Sequence, residues 1–294
     1  RRVGVGAGRE AESGVKRMCL QFPETPEKLT AAEKAILEYI EGHKETFLFM
    51  TIGELAQTLN VSDATISRFA RHVGCGDFKH LKRVVMDQTV SQEGPAGKLA
   101  NTLLAKEGAF LENWLKRQQY CLERTAALLE DEVFAEAVRA VVGAARVFLY
   151  AKNASVSMAM LLEIRLRRIG VDVRRIPSGG TEMLEGLAAA KVGDLVILFG
   201  FSKVSREGKV ILEHEKNAGY RTLLFTGRLH PAVGPRADIN LFVWRGEENE
   251  YHSMSAPAAV VDALVIAVSD ARGIAAARAL NEVRGLKESY GKEL

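Results

Sequence analysis

Thr51-Ile52-Gly53-Glu54-Leu55-Ala56-Gln57-Thr58-Leu59-Asn60-Val61-Ser62-Asp63-Ala64-Thr65-Ile66-Ser67-Arg68-Phe69-Ala70-Arg71-His72 carries two helix starts with a tight turn between them. Thr51 and Glu54 have capping-box spacing, in which each side chain satisfies a backbone N–H of the other. Leu55, Ala56 and Leu59 then share one face, and the helix ends near Asn60. Asn60-Val61 is the turn, and Ser62 is a favourable N-cap for the next helix. A helix, a short turn and a helix of this size form a helix-turn-helix.

The second of these helices can be read by angle, at about 100° per residue. Ile66, Phe69, Ala70 and Val73 fall on one side and are expected in the core. Ala64, Arg68, Arg71 and Cys75 fall on the other, with Thr65, Ser67 and His72 at the edges. Small Ala64 permits close approach to a duplex, and two arginines can donate forked hydrogen bonds to guanine edges or phosphates. Ser62, at the helix N-terminus, suits a phosphate oxygen. Upstream, Thr30 and Glu33 repeat the capping-box spacing ahead of Ile36, Leu37 and Ile40. Downstream, a helix starting near Asp77 carries Lys79, Lys82 and Arg83. Between Arg68 and Arg83 there are five basic residues and one acidic residue, whereas residues 24–67 are rich in acid. That polarity suits neutralisation of phosphates. The DNA-binding residues expected are Ser62, Ala64, Thr65, Ser67, Arg68, Arg71, His72, Lys79 and Lys82.

Leu29–Lys34, Ile52–Ala56 and Val61–Ala70 together resemble the N-terminal domain of RpiR-type bacterial transcriptional regulators. The resemblance covers about residues 26–90. It implies sequence-specific binding to double-stranded operator DNA by a dimer or higher oligomer.

Composition agrees with a globular chain: 294 residues, 47% hydrophobic and 26% charged. The length suggests about two domains. No apolar run approaches the ~18 residues of a membrane span. The net charge is +3, and residues 1–17 alone hold five basic and two acidic residues, so the basic excess lies in the leader. The three cysteines, Cys19, Cys75 and Cys121, have no CxxC spacing and point to a reducing, cytoplasmic setting. His72, Cys75 and His80 match no standard zinc pattern, so no metal is expected. No cofactor or catalytic residue is expected either. No secretory signal is visible, and residues 1–25 are expected to be a disordered leader.

Residues 91–98 are polar with Gly and Pro and read as a linker. With a connecting helix they extend to residue 130. The apolar residues Leu99, Leu103, Leu104, Phe110, Leu111, Trp114 and Leu115 that follow suit an intrachain core or a dimer face equally. A further helix is expected over 131–142. From Arg146 the pattern changes to short runs rich in β-formers, at 147–151, 171–176, 195–201, 222–226 and 239–244. They alternate with helical stretches at 155–169, 181–190, 205–218 and 257–268. Such alternation predicts a doubly wound parallel sheet over 131–272, followed by a C-terminal helix and tail over 273–294. Ligands of such sheets bind beyond the strand C-termini at the switch point. Here these are the loops after the first and third runs, with Lys152, Asn153, Ser155, Gly200, Ser202, Lys203 and Ser205.

The series Ser155, Ala159, Leu166, Ile169-Gly170, Asp194–Ile197, Ser202, Ser205, Ala218–Tyr220, Thr226 and Ala237-Asp238 resembles a SIS (sugar isomerase) domain over about 130–270. The resemblance implies an effector sensor for a phosphorylated sugar or related small anion; a repressor is expected in preference to an activator, as a homodimer or homotetramer. Two loops depart from the family pattern. Gly-x-Gly-x-Ser is here Ala151-Lys152-Asn153-Ala154-Ser155, and Ser-x-Ser-Gly-x-Thr is Gly200-Phe201-Ser202-Lys203-Val204-Ser205. Loss of glycine restricts backbone approach to a phosphate, while Lys152 and Lys203 supply charge. Two alternatives stand beside the sensor: a sugar-phosphate isomerase using Glu163 and His252, and a SIS module that only dimerises.

Overall fold

The computed structural model describes residues 20–89, 94–104, 109–228 and 236–291. It divides into two compact units. The first is formed by the chain up to residue 106 with residues 248–251, and the second by the remainder.

In the first unit, α1 (Ala31–Gly42), α2 (Lys44–Phe49), α3 (Ile52–Leu59), α4 (Asp63–His72), α5 (Phe78–Thr89) and α6 (Pro95–Leu104) follow in order. Both capping boxes form: Thr30 with Glu33 at α1, and Thr51 with Glu54 at α3. Asn60 ends α3 in the left-handed conformation (φ 52°), and the Ser62 side chain accepts from the Thr65 N–H to start α4. Asn tolerates this region better than most residues. Ile36, Ile40, Leu55, Ile66, Phe69, Ala70, Val73 and Leu81 meet in one core.

Four details differ from the sequence reading. The short α2 was not expected; it buries Phe47 and Leu48, with Phe47 edge-on to Phe78. Cys75, expected on the outer face of α4, is buried because α4 ends at His72 and the chain turns at Gly74 (φ 78°). A side chain on Gly74 would meet Pro23 and Glu24 within 3 Å. Residues 20–25 of the expected leader are packed: Leu20 is buried, Phe22 stands edge-on to Phe69, and the Glu24 N–H donates to the Val73 carbonyl. Residues 1–19 lie outside the described residues. Pro95 opens α6 inside the stretch read as linker, at a position where its missing N–H costs nothing; residues 90–93 also lie outside the description.

The second unit begins with α7 (Phe110–Leu128) and α8 (Asp131–Gly143). Then come β1 (Val147–Ala151), α9 (Val156–Arg168), β2 (Val173–Arg175), α10 (Gly180–Ala188), β3 (Leu195–Phe199), α11 (Arg206–Ala218), β4 (Arg221–Thr226), β5 (Ile239–Phe242), α12 (Ser255–Arg272) and α13 (Ile274–Tyr290). The strands form one sheet in the order β2-β1-β3-β4-β5, parallel throughout. β1 and β3 are buried along their whole length, as a parallel sheet covered on both faces requires. Val147, Leu149, Ile197, Phe199 and Phe225 face α8, α9 and α12. Phe148, Tyr150, Val196, Leu198 and Leu224 face α10 and α11. The switch point lies between β1 and β3, where the chain leaves for opposite sides of the sheet. On α7, Phe110, Leu111 and Leu115 are exposed, so they are not intrachain core.

Candidate functional site

The outer face of α4 is built by its own burial pattern. Ile66, Phe69 and Ala70 are fully buried, which leaves Ala64, Arg68 and Arg71 exposed. A chain of short contacts organises this face. Ser62 Oγ meets Thr65 Oγ1 at 2.9 Å, and Arg68 Nη2 donates to Thr65 Oγ1 at 3.2 Å. Arg71 Nε donates to the Ser67 carbonyl at 3.3 Å. Both guanidinium groups therefore lie along the helix surface with further N–H groups to offer.

His72 turns elsewhere. Its Nδ1 lies 2.8 Å from Glu33 Oε1, whose other oxygen accepts from the Thr30 N–H and hydroxyl. Burial alone would raise the Glu33 pKa, but the Thr30 N–H, His72 and the Thr30 hydroxyl outweigh it and hold the carboxyl below its ordinary range. Lys79 and Lys82 line a cavity of about 270 Å³ with Phe49, Met50, Ile52, Phe78 and Leu103. Burial pushes the Lys82 ammonium down, against the pull of Glu54. Among the described residues no group of three His, Cys, Asp or Glu side chains could hold a metal ion. The Gly76 N–H donates to His80 Nδ1, and Cys75 is buried.

In the second unit, the loop after β1 keeps the backbone shape a glycine would give. Asn153, at the second glycine position of the family pattern, has φ 53°. The Ser155 hydroxyl makes no cap hydrogen bond at the start of α9. In the loop after β3, Ser205 caps α11 by accepting from the Gly208 N–H at 3.0 Å. Gly200 sits where an added side chain would meet Leu224 and Val204. Ser202 and Lys203 are exposed.

Two of the expected ligand groups are already engaged within the chain. Lys152 Nζ donates to Glu207 Oε1 at 2.9 Å, and the Tyr150 hydroxyl lies 3.0 Å from Ser205 Oγ and 3.5 Å from Glu207 Oε2. The bond from Lys152, with backbone and Ser205 contacts, brings the Glu207 carboxyl down to about 2. Glu163 is held by Arg167 at 3.3 Å and Arg175 at 3.0 Å. His252 instead lies against Arg245 and the Glu247 carbonyl, so the two groups of the isomerase reading are not brought together.

Sequence reasoning missed the residues just beyond β5. The sheet edge is drawn tight there: the Gly200 N–H donates to the Phe225 carbonyl, the Gly227 N–H to Phe201 and the Val243 N–H to Thr226. A side chain on Gly227 would stand 2.8 Å from the Phe201 carbonyl oxygen, so only glycine permits this approach. Arg245 consequently stacks on Phe201, 4.4 Å from the ring centroid, and its Nη2 donates to Ser202 Oγ at 3.1 Å. The preceding residue is fastened to α7: buried Thr125 Oγ1 accepts from the Trp244 N–H at 3.0 Å and donates to the Cys121 carbonyl at 2.8 Å.

Residues 17–93 match the model of the helix-turn-helix domain of the rpiR family, and residues 141–267 match the SIS domain. An HTH-type transcriptional regulator of Caldanaerobacter subterraneus subsp. tengcongensis is 25% identical over 84% of this chain and 88% of its own length. HTH-type transcriptional regulator HexR of Pseudomonas aeruginosa is 23% identical over 66% of this chain and 67% of its own. Among solved structures, Vibrio vulnificus NanR in complex with ManNAc-6P superposes with a TM-score of 0.55 at 19% identity, covering 90% of this chain and 95% of that one. The sugar isomerase domain of an RpiR transcription factor from Sphaerobacter thermophilus gives 0.54 at 22% identity, over 59% and 97%.

Proposed function

We propose that this chain, which belongs to the rpiR family of helix-turn-helix transcriptional regulators and carries a SIS domain, is a repressor that releases or holds its operator according to a phosphorylated sugar or related small anion. The observation that carries the DNA half is the division of α4: its apolar side is sealed in the core, and Ala64, Arg68 and Arg71 are left outside with a capped N-terminus beside them. Phosphate contacts position such a helix, and its arginines read base edges. A two-fold assembly of chains suits a palindromic operator. The ligand half is supported by the switch-point loops, by the uncommitted Ser155 hydroxyl and by the fold shared with NanR, which was solved with a phosphorylated sugar.

Operator fragments selected from genomic DNA and titrated by fluorescence anisotropy test the first half. Each lost base contact should cost about 1–3 kcal/mol, so the Arg68→Ala, Arg71→Ala double variant should bind at least tenfold more weakly. Full, salt-sensitive binding by that variant would overturn the assigned face. A SIS unit that only dimerises is favoured by one observation: Lys152 and Ser205 are satisfied by Glu207 and Tyr150. A thermal-shift series of the full chain with six-carbon sugar phosphates separates the readings. A concentration-dependent rise that Ser155→Ala abolishes supports the sensor, and no rise across the series supports the dimerisation module.

A further inference from the structure

Two of the cations at the switch-point edge, Lys152 and Arg245, are in different situations. Lys152 is neutralised by Glu207, which takes it out of competition for an incoming anion. Arg245 has no carboxylate partner among the described residues. Its Nη2 hydrogens go to the neutral acceptors Ser202 Oγ and His252 Nδ1, at 3.1 and 3.4 Å. The histidine can serve as acceptor because its Nε2 faces the Glu247 carbonyl at 3.0 Å, and a carbonyl only accepts, so the ring hydrogen sits on Nε2. The Nε and Nη1 hydrogens of Arg245 are left over. A guanidinium set on an aromatic ring, held in position by two neutral acceptors and lacking a counter-charge is arranged for an oxyanion.

We propose that Arg245, together with Ser202, holds the anionic group of the ligand of the second unit, a phosphate or carboxylate oxyanion. This rests on the reading of that unit as an anion sensor and assigns the charge contact to the end of β5 in place of Lys152. Ser202 receives a hydrogen from Arg245 and so keeps its own hydroxyl hydrogen for the ligand. Burial brings the Arg245 guanidinium down to about 10, which leaves it charged at neutral pH yet poorly hydrated and therefore short of a partner.

The test is isothermal titration of the full-length protein with inorganic phosphate and with acetate, at constant ionic strength. Wild type should bind at least one of them saturably. Arg245→Ala should weaken that binding about tenfold or more, as loss of a charge-assisted contact does. Arg245→Lys should recover part of it. An unchanged circular dichroism spectrum identifies the variants that have folded. Stronger phosphate binding assigns a phosphoryl group, and stronger acetate binding a carboxylate. Unaltered affinity in Arg245→Ala overturns the assignment and leaves the sensor reading standing. No saturable binding of either anion also overturns it, and the sugar-phosphate thermal-shift series then judges the sensor reading by itself.

Discussion

Replacing Glu33 tests whether one carboxylate joins the start of α1 to the end of α4. Its two oxygens accept from the Thr30 N–H at 2.8 Å, the Thr30 hydroxyl at 2.9 Å and His72 Nδ1 at 2.8 Å. Glu33→Ala removes the reciprocal half of a capping box, about 0.5–1 kcal/mol. It also removes the His72 contact, where the carboxylate is buried but the imidazole is 45% exposed. Solvent screening reduces that contact to about 0.5–1 kcal/mol. The total is about 1–2 kcal/mol, and a unit of this size loses about 4–8 °C per kcal/mol, so its midpoint should fall by roughly 4–15 °C. Both tryptophans, Trp114 and Trp244, belong to the second unit. Thermal melting of the full chain by far-ultraviolet circular dichroism therefore follows both units, while tryptophan fluorescence follows the second. A double-mutant cycle with His72→Ala should give a coupling of about 0.5–1 kcal/mol. The pH dependence has a definite sign. Because the folded Glu33 carboxyl lies below 4.5, its stabilisation is complete above that value and is lost as pH falls through the lower folded pKa. A Glu33→Ala midpoint within about 1 °C of wild type at pH 7 would refute the reasoning.

Two further outcomes are expected. Asp194 is buried and accepts from both Arg146 Nε and Nη2, at 3.0 and 2.6 Å, and from the Lys191 N–H. Asp194→Ala should destabilise the second unit by about 2–3 kcal/mol in urea unfolding followed by tryptophan fluorescence, somewhat less than for a wholly buried pair because Arg146 is partly exposed. Burial raises the Asp194 pKa, yet Arg146 and the Lys191 N–H more than offset it. The stabilisation is therefore full above 3.8 and fades as pH falls through the lower folded value. At Asn153, φ 53° suits glycine and disfavours branched side chains. Asn153→Gly should leave the melting temperature nearly unchanged, whereas Asn153→Val should cost about 1–3 kcal/mol.

Features set by neighbours in the chain could be read from the sequence. Both capping boxes span three residues, and the Ser62 cap and the two faces of α4 follow from helical spacing within one element. Runs such as Leu195–Phe199 are apolar throughout because helices cover both sides of the sheet. The switch-point loops followed from the alternation of runs and helices. Features set by distant pairing could not be read. His72 looked like a base reader because Glu33, its partner, lies 39 residues earlier. Lys152 looked available because Glu207 is 55 residues on. Arg245 was passed over because Ser202 is 43 residues away and reaches it only through the tight sheet edge that Gly227 permits. Asn153 could have been recognised earlier, since asparagine is the side chain that most readily stands in for a left-handed glycine.

The Thr125 hydroxyl gives α7 a mechanical property. By fixing the Trp244 N–H close to the far end of a 19-residue helix, it makes that helix a rod pinned beside the residue next to Arg245. At about 1.5 Å per residue, the Phe110 end lies about 22 Å from the pin. A tilt of only about 5° at Thr125 then sweeps that end through about 2 Å. A displacement at the sheet edge too small to disturb the core is thus amplified by simple leverage along α7.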